Sequence, residues 1–99
     1  MVTEIAYITI DPARAADFEA AVAAAAPHFR AADGCRAMRL ERVVEDETQY
    51  RLSVDWDTVD HHLVTFRNSD GFQQWRSLAG PFFVEPPRVE HWNRVGEYF

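Results

Sequence analysis

Tyr50-Arg51-Leu52-Ser53-Val54-Asp55-Trp56-Asp57 alternates apolar and polar residues without a break. A period of two puts Tyr50, Leu52, Val54 and Trp56 on one face of a strand, with Arg51, Ser53, Asp55 and Asp57 on the other. Immediately upstream, Glu45 to Thr48 reads as a polar turn. Before it, Met38, Leu40 and Val44 share one side of a second strand, opposite Arg39 and Glu41. Together they predict a β-hairpin.

Further towards the N-terminus, Val2 to Ile10 is a β-branched and aromatic run that ends abruptly at Asp11-Pro12. That ending is a helix start, because Asp accepts from the first free amides and Pro fits the first helical position. Phe18, Val22, Ala25 and Phe29 then recur at spacings of four, three and four, one face of an amphipathic helix. Pro27 is expected to bend or divide that helix, since it lacks a donor and its ring crowds the carbonyl one turn back. Gly34 is expected to close the segment as a C-terminal cap, with Cys35 beginning the next strand.

Downstream of the hairpin, Asp57 or Thr58 caps a second helix running to about Arg67. Ser69-Asp70 caps a third, with Phe72, Trp75 and Ala79 facing inward, and Gly80-Pro81 stops it. After Pro86-Pro87, the segment Val89 to Val95 reads as the last strand. The order is β-α-β-β-α-β with its second helical region in two pieces. This predicts an α+β fold, the ferredoxin-like split arrangement with a four-stranded antiparallel sheet, as a single domain over residues 1–99. Helices on one face leave the other face of the sheet bare. Ile8, Ile10, Val43 and Trp92 are apolar positions available to that face, and a second copy of the chain is the economical cover.

Composition narrows the function. Hydrophobic residues make up 47% and aromatics 13%, which excludes disorder. The net charge is −6, and all ten basic residues are scattered arginines, so nucleic acid is not an expected partner. The absence of Lys, with the alanine runs, reads as coding bias. A lone cysteine, Cys35, excludes an internal disulfide and suits a reducing compartment. No apolar run approaches the roughly 20 residues of a membrane span, and the N-terminus lacks the basic and apolar regions of a leader. No membrane partner is expected, and the expected location is cytoplasmic.

The run Trp56-Asp-Thr-Val-Asp-His-His62, then Phe66-Arg-Asn-Ser69, Phe72-Gln-Gln-Trp75-Arg76, Pro81-Phe-Phe83 and Pro87-Arg-Val89-Glu-His91 resembles the antibiotic biosynthesis monooxygenase family. The pattern covers the C-terminal half; the N-terminal half agrees in element order and length. The resemblance implies a homodimer, a dimeric α+β barrel, with one cavity per subunit between sheet and helices. Some members of the family oxidise aromatic polyketides or quinols without metal or flavin, some degrade haem, and many have no assigned reaction. By element matching, the residues that the haem-degrading branch uses fall near Ala6, Phe66 and Arg76, so its axial histidine is missing here. The Asn-Tyr pair of the polyketide-oxidising branch is also absent from the second helical region.

The implied activity is therefore oxidation of a small aromatic, polyketide-like or quinol molecule with no cofactor. A non-oxidative cyclase, isomerase or carrier on the same fold, and a catalytically silent homodimer, stand as alternatives. Oxygenation without a cofactor needs an electron-rich phenol or enol, a dry cavity, an aromatic wall, a base and a positive group near the developing anion. His62 is the candidate base, since Val59 and Phe66 lie three and four residues away on one helix face. The same placement also suits a half-buried histidine bonded to a carboxylate or carbonyl. His61 should point elsewhere, towards solvent. Adjacent histidines diverge on a helix and no third ligand is suitably spaced, so no metal is expected. Arg76 is the candidate for orienting an anionic oxygen, with a solvated helix face as the alternative. Tyr7, Trp56, Phe66, Phe72 and Trp75 are candidates for the aromatic wall, or plain core. His91, in phase with Val89 and Val95, can reach the cavity or the dimer seam.

Overall fold

The computed structural model describes residues 1–99. Strand β1 (Val2–Thr9) leads through a 3-10 turn (Pro12–Arg14) into helix α1 (Ala15–Arg30). The hairpin β2 (Cys35–Arg42) and β3 (Gln49–Trp56) follows, then a π-helical turn (His61–Phe66), helix α2 (Asp70–Ala79) and strand β4 (Arg88–Trp92). The four strands form one sheet in the order β2-β3-β1-β4, every pair antiparallel. This is the α+β, ferredoxin-like arrangement that the β-α-β-β-α-β element order predicts.

The inner face follows from register. Ala6 pairs with Leu52, Ile8 with Tyr50, and Leu40 with Leu52 on the far side, so the apolar phases of neighbouring strands coincide. Against them α1 lays Phe18, Val22, Ala25 and Phe29, all buried. Each large side chain withdrawn from water in this way contributes about 1.5–3 kcal/mol. Phe29 sits at the centre, with ring centroids 4.7 Å from Phe66, 5.3 Å from Trp75 and 6.5 Å from Trp56. Tyr50 ties sheet to helix by donating from its hydroxyl to Glu19 at 2.5 Å.

Pro27 neither divides nor ends α1, which runs unbroken to Arg30. It stands in the last turn, where few helical bonds remain to be lost, and its own carbonyl still accepts from the Ala31 amide. Gly34 is not the cap of this helix, since Ala31 holds that position. It turns the chain into β2 with a φ of 78°. Val44, assigned to a strand, lies exposed in the hairpin loop, and β4 stops at Trp92 rather than Val95. Asp11 and Ser69 cap as the sequence predicts, accepting from the amides of Ala13 and Phe72. Of the two candidate caps after β3, Thr58 accepts from the His61 amide, while Asp57 holds Arg36 in a bidentate pair at 2.6 and 2.8 Å.

The outer face of the sheet differs from the expectation. Ile8 faces the core and Ile10, beyond the end of β1, is fully buried there. Only Trp92, and Val43 at the hairpin end, remain on the outer side. That face instead carries Thr3, Ile5, Tyr7, Arg39, Arg51 and Ser53, a mixed rather than an apolar surface.

Candidate functional site

The inner face of β1 carries one residue that its phase does not predict. Glu4 shares that face with Ala6 and Ile8, and it is 5% exposed. Its partners across the sheet are Val54 on β3 and His91 on β4. The Trp56 indole donates to Glu4 Oε1 at 2.9 Å. His62 stacks on the same indole, with centroids 5.4 Å apart and planes 18° from parallel, and its Nε2 lies 3.3 Å from Glu4 Oε1. On its other side, His62 Nδ1 is 2.8 Å from His91 Nε2. Glu4, His62 and His91 therefore form a line of contacts across the inner face. No group of three His, Cys, Asp or Glu residues is placed to hold a metal ion.

Burial sets the charges of this line. It pushes the Glu4 carboxyl up to about 7, against the Trp56 hydrogen bond and the Arg67 charge, which both favour the anion. It pulls the His62 imidazole down to about 4, helped by the positive charges of His91 and Arg67. His91 is lowered by burial first and then by Arg67. The 3.3 Å separation would suit an ion pair, yet burial disfavours both charges. Between about pH 4 and 7 burial favours the neutral carboxyl and the neutral ring over the ion pair.

Glu4 and His62 open into a cavity of about 520 Å³. Phe72, Trp75 and Phe83 form aromatic parts of its wall, and Arg67 and Arg76 bring two guanidiniums to it. Arg76 lies over the Phe72 ring at 5.9 Å, and neither arginine has a carboxylate within ion-pair distance. Pockets of about 300–1,000 Å³ are typical of small-molecule sites, and a cavity of about 150 Å³ already accepts a benzene ring.

His62, Arg76, Phe72 and Trp75 thus meet at one cavity, and His91 joins them through His62 rather than by lining it. Trp56 and Phe66 do not line it; both are closed into the core, with Trp56 beneath the His62 ring. Tyr7 is on the opposite face of the sheet, where Arg88 covers its ring at 4.1 Å. Its odd position on β1 puts it out of phase with Glu4 and Ala6, and the register across the sheet turns that phase away from the helices. His61 turns away from the cavity and is partly exposed. It packs on Gly34 and bonds Thr58 at 2.8 Å.

Sequence reasoning missed Glu4 and Arg67. A carboxylate in phase with Ala6 and Ile8 on an apolar strand face was the available signal for Glu4. Arg67 had none, because the π-helical turn supplies it. The Arg67 amide bonds the His62 carbonyl five residues back at 3.2 Å. Each residue of such a turn subtends a smaller angle than in an α-helix, so Arg67 returns to the side that His62 occupies.

The comparisons with known proteins agree with this architecture. The profile of the antibiotic biosynthesis monooxygenase family matches residues 1–78. A candidate antibiotic biosynthesis monooxygenase from Bordetella bronchiseptica, known from its crystal structure, is 51% identical, with a TM-score of 0.92 over 95% of this chain and 96% of that one. The uncharacterised protein YczJ of Bacillus subtilis is 34% identical over 96% of this chain and all of its own length. SnoaB of Streptomyces nogalater, a cofactor-independent oxygenase, shares the fold at 18% identity, with a TM-score of 0.78 over 97% of this chain and 94% of that one. From its strand order to the cavity between sheet and helices, the chain belongs to the antibiotic biosynthesis monooxygenase family.

Proposed function

We propose that this protein oxidises a small electron-rich aromatic, a phenol, enol or quinol, with molecular oxygen and without a cofactor. One observation carries the reading: a buried carboxyl–imidazole pair opens into an aromatic-walled cavity with two unpaired guanidiniums beside it. A planar substrate lies against Phe72, Trp75 and Phe83. The Glu4–His62 pair removes its acidic proton, and Arg67 and Arg76 stabilise the resulting anion. The electron-rich anion then reduces oxygen directly. Family membership supports the oxidative reading, and SnoaB supports the compatibility of this scaffold with cofactor-free oxygenation.

Within the pair, Glu4 is the better base. A carboxyl that titrates near neutrality matches the working pH, whereas an imidazole held near 4 is a weak acceptor. His62, the base that the sequence suggests, then orients Glu4 and the substrate oxygen. The protein works as a homodimer, with Trp92 on the outer sheet face and the exposed Val95, Tyr98 and Phe99 as the apolar surface that a second copy covers.

Oxygen uptake and product mass with a panel of naphthols, anthrones and quinols test the proposal. Uptake with an oxygenated product is expected from the wild type, and loss of it from His62→Ala and Glu4→Gln under conditions where circular dichroism shows both variants folded. Conversion without oxygen uptake would instead assign the pair to a non-oxidative isomerase or cyclase.

A further inference from the structure

The three titratable side chains of the inner face stand in single file, and each has its neighbour on a different structural element. Glu4 is on β1, His62 on the π-helical turn and His91 on the edge strand β4. Glu4 and His62 are buried, while His91 is half-buried. We infer that Glu4, His62 and His91 form a proton relay in which both imidazoles change tautomer together when Glu4 gains or loses its proton, with His91 as the end that exchanges with solvent. Its catalytic use rests on the reading of Glu4 as the base of the cavity.

The number of protons on the two rings ties their tautomers to Glu4. A neutral imidazole has one N–H and one lone pair, so His62 cannot donate from both ring nitrogens. When Glu4 is ionised, the His62 proton belongs on Nε2, 3.3 Å from the carboxylate. Nδ1 is then an acceptor, and the 2.8 Å contact is made by the Nε2–H of His91. When Glu4 is protonated, its O–H donates to His62 Nε2, the His62 proton sits on Nδ1 and donates to His91 Nε2, and His91 carries its proton on Nδ1. The two arrangements differ by one proton. Passing from the second to the first breaks the Glu4 O–H, the His62 Nδ1–H and the outer His91 N–H, and it forms Nε2–H on both rings. The proton released from Nδ1 of His91 goes to water. No ring need become a cation at either end of the process, consistent with burial disfavouring both imidazolium ions.

The surroundings favour the line over other routes. Trp56 on β3 donates to Glu4 and is not a proton acceptor. Arg67, beyond the π-helical turn, and Arg76 on α2 are fixed positive charges facing the cavity. Cys35 on β2 is electrostatically coupled to Glu4, which helps to raise its thiol after burial has done so. A substrate filling the cavity would separate Glu4 from water on that side, leaving His62 and His91 as its connection to solvent. His91 touches neither the cavity nor a substrate and acts through His62, whose tautomer changes with its own.

Long-range nitrogen–proton spectra of histidine-labelled protein, with carboxyl carbon spectra of Glu4, test the relay. The relay predicts that His62 and His91 both carry their proton on Nδ1 below the Glu4 midpoint and on Nε2 above it, with all three transitions coincident near pH 7. In Glu4→Gln, which keeps the shape and an acceptor for Trp56, each ring should hold one tautomer throughout. Rings that keep a fixed tautomer through the wild-type Glu4 titration would overturn the inference, as would a switch that persists in Glu4→Gln. The wild-type spectra suffice if the variant does not fold. Because no turnover is involved, a tautomer switch without oxygen uptake would leave the relay standing and remove the oxygenase reading.

Discussion

Glu4 and His62 have opposite effects on stability as pH changes, and the signs can be worked out from their burial. The folded-state carboxyl is raised from 4.5 to about 7, so its contribution is present below about 4.5 and lost as pH rises through 7. The folded-state imidazole is lowered from 6.5 to about 4, so its contribution is present above about 6.5 and lost as pH falls through 4. Each displacement corresponds to on the order of 3 kcal/mol, and between about pH 4.5 and 6.5 the two slopes oppose one another. Urea unfolding should therefore show a nearly flat wild-type profile there. Glu4→Gln should become more stable with rising pH over that window, and His62→Phe less stable. Identical profiles in all three proteins would show that the pair is not buried as described. His62 was legible in the sequence because Val59 and Phe66 flank it at helical spacing. Glu4 was harder to see: it is the single charge in Val2–Thr9, and only its phase with Ala6 and Ile8 marks it as inward.

At the scale of elements, Gly34 couples the start of β2 to the π-helical turn. Its φ is 78°, and a Cβ placed there would come within 2.4 Å of the His61 ring. Gly34→Ala should cost about 1–3 kcal/mol through backbone strain and that clash, read as a lowered denaturation midpoint. Adding His61→Ala should recover the part due to the ring and leave the part due to φ and to the His61 Cβ at 2.9 Å. Strand and helix positions were largely legible, because period-two and helical spacings are local properties of the chain. The π-helical turn was not, since its five-residue hydrogen bond is chosen by how His62 and Phe66 pack rather than by any local motif. Pro27 shows the converse. Its local rule is strong, but the last turn of a helix has little left for it to break.

For the whole molecule, the apolar surface open to a second copy lies at the edge strand and the tail. Ile8 and Ile10 belong to the core, so the surface that a partner would cover is built on Trp92, 54% exposed, and on the residues after β4. Sedimentation should give the mass of two chains for the wild type, and Trp92→Glu should shift it towards one. A monomeric wild type would contradict the dimer, and with it the expectation that the outer sheet face is covered. Which face of a strand meets the helices depends on the register between distant strands, so phase alone left Ile8 open to either side.

The pH dependence of oxygen uptake in wild type and Glu4→Gln, with whichever naphthol, anthrone or quinol turns over, bears most directly on the proposed base. The wild-type rate should rise through pH 7 as Glu4 ionises. Glu4→Gln should lose about a hundred- to ten-thousandfold of it and the transition as well. A variant that keeps the wild-type rate and the same rise through pH 7 would show that Glu4 is not the base.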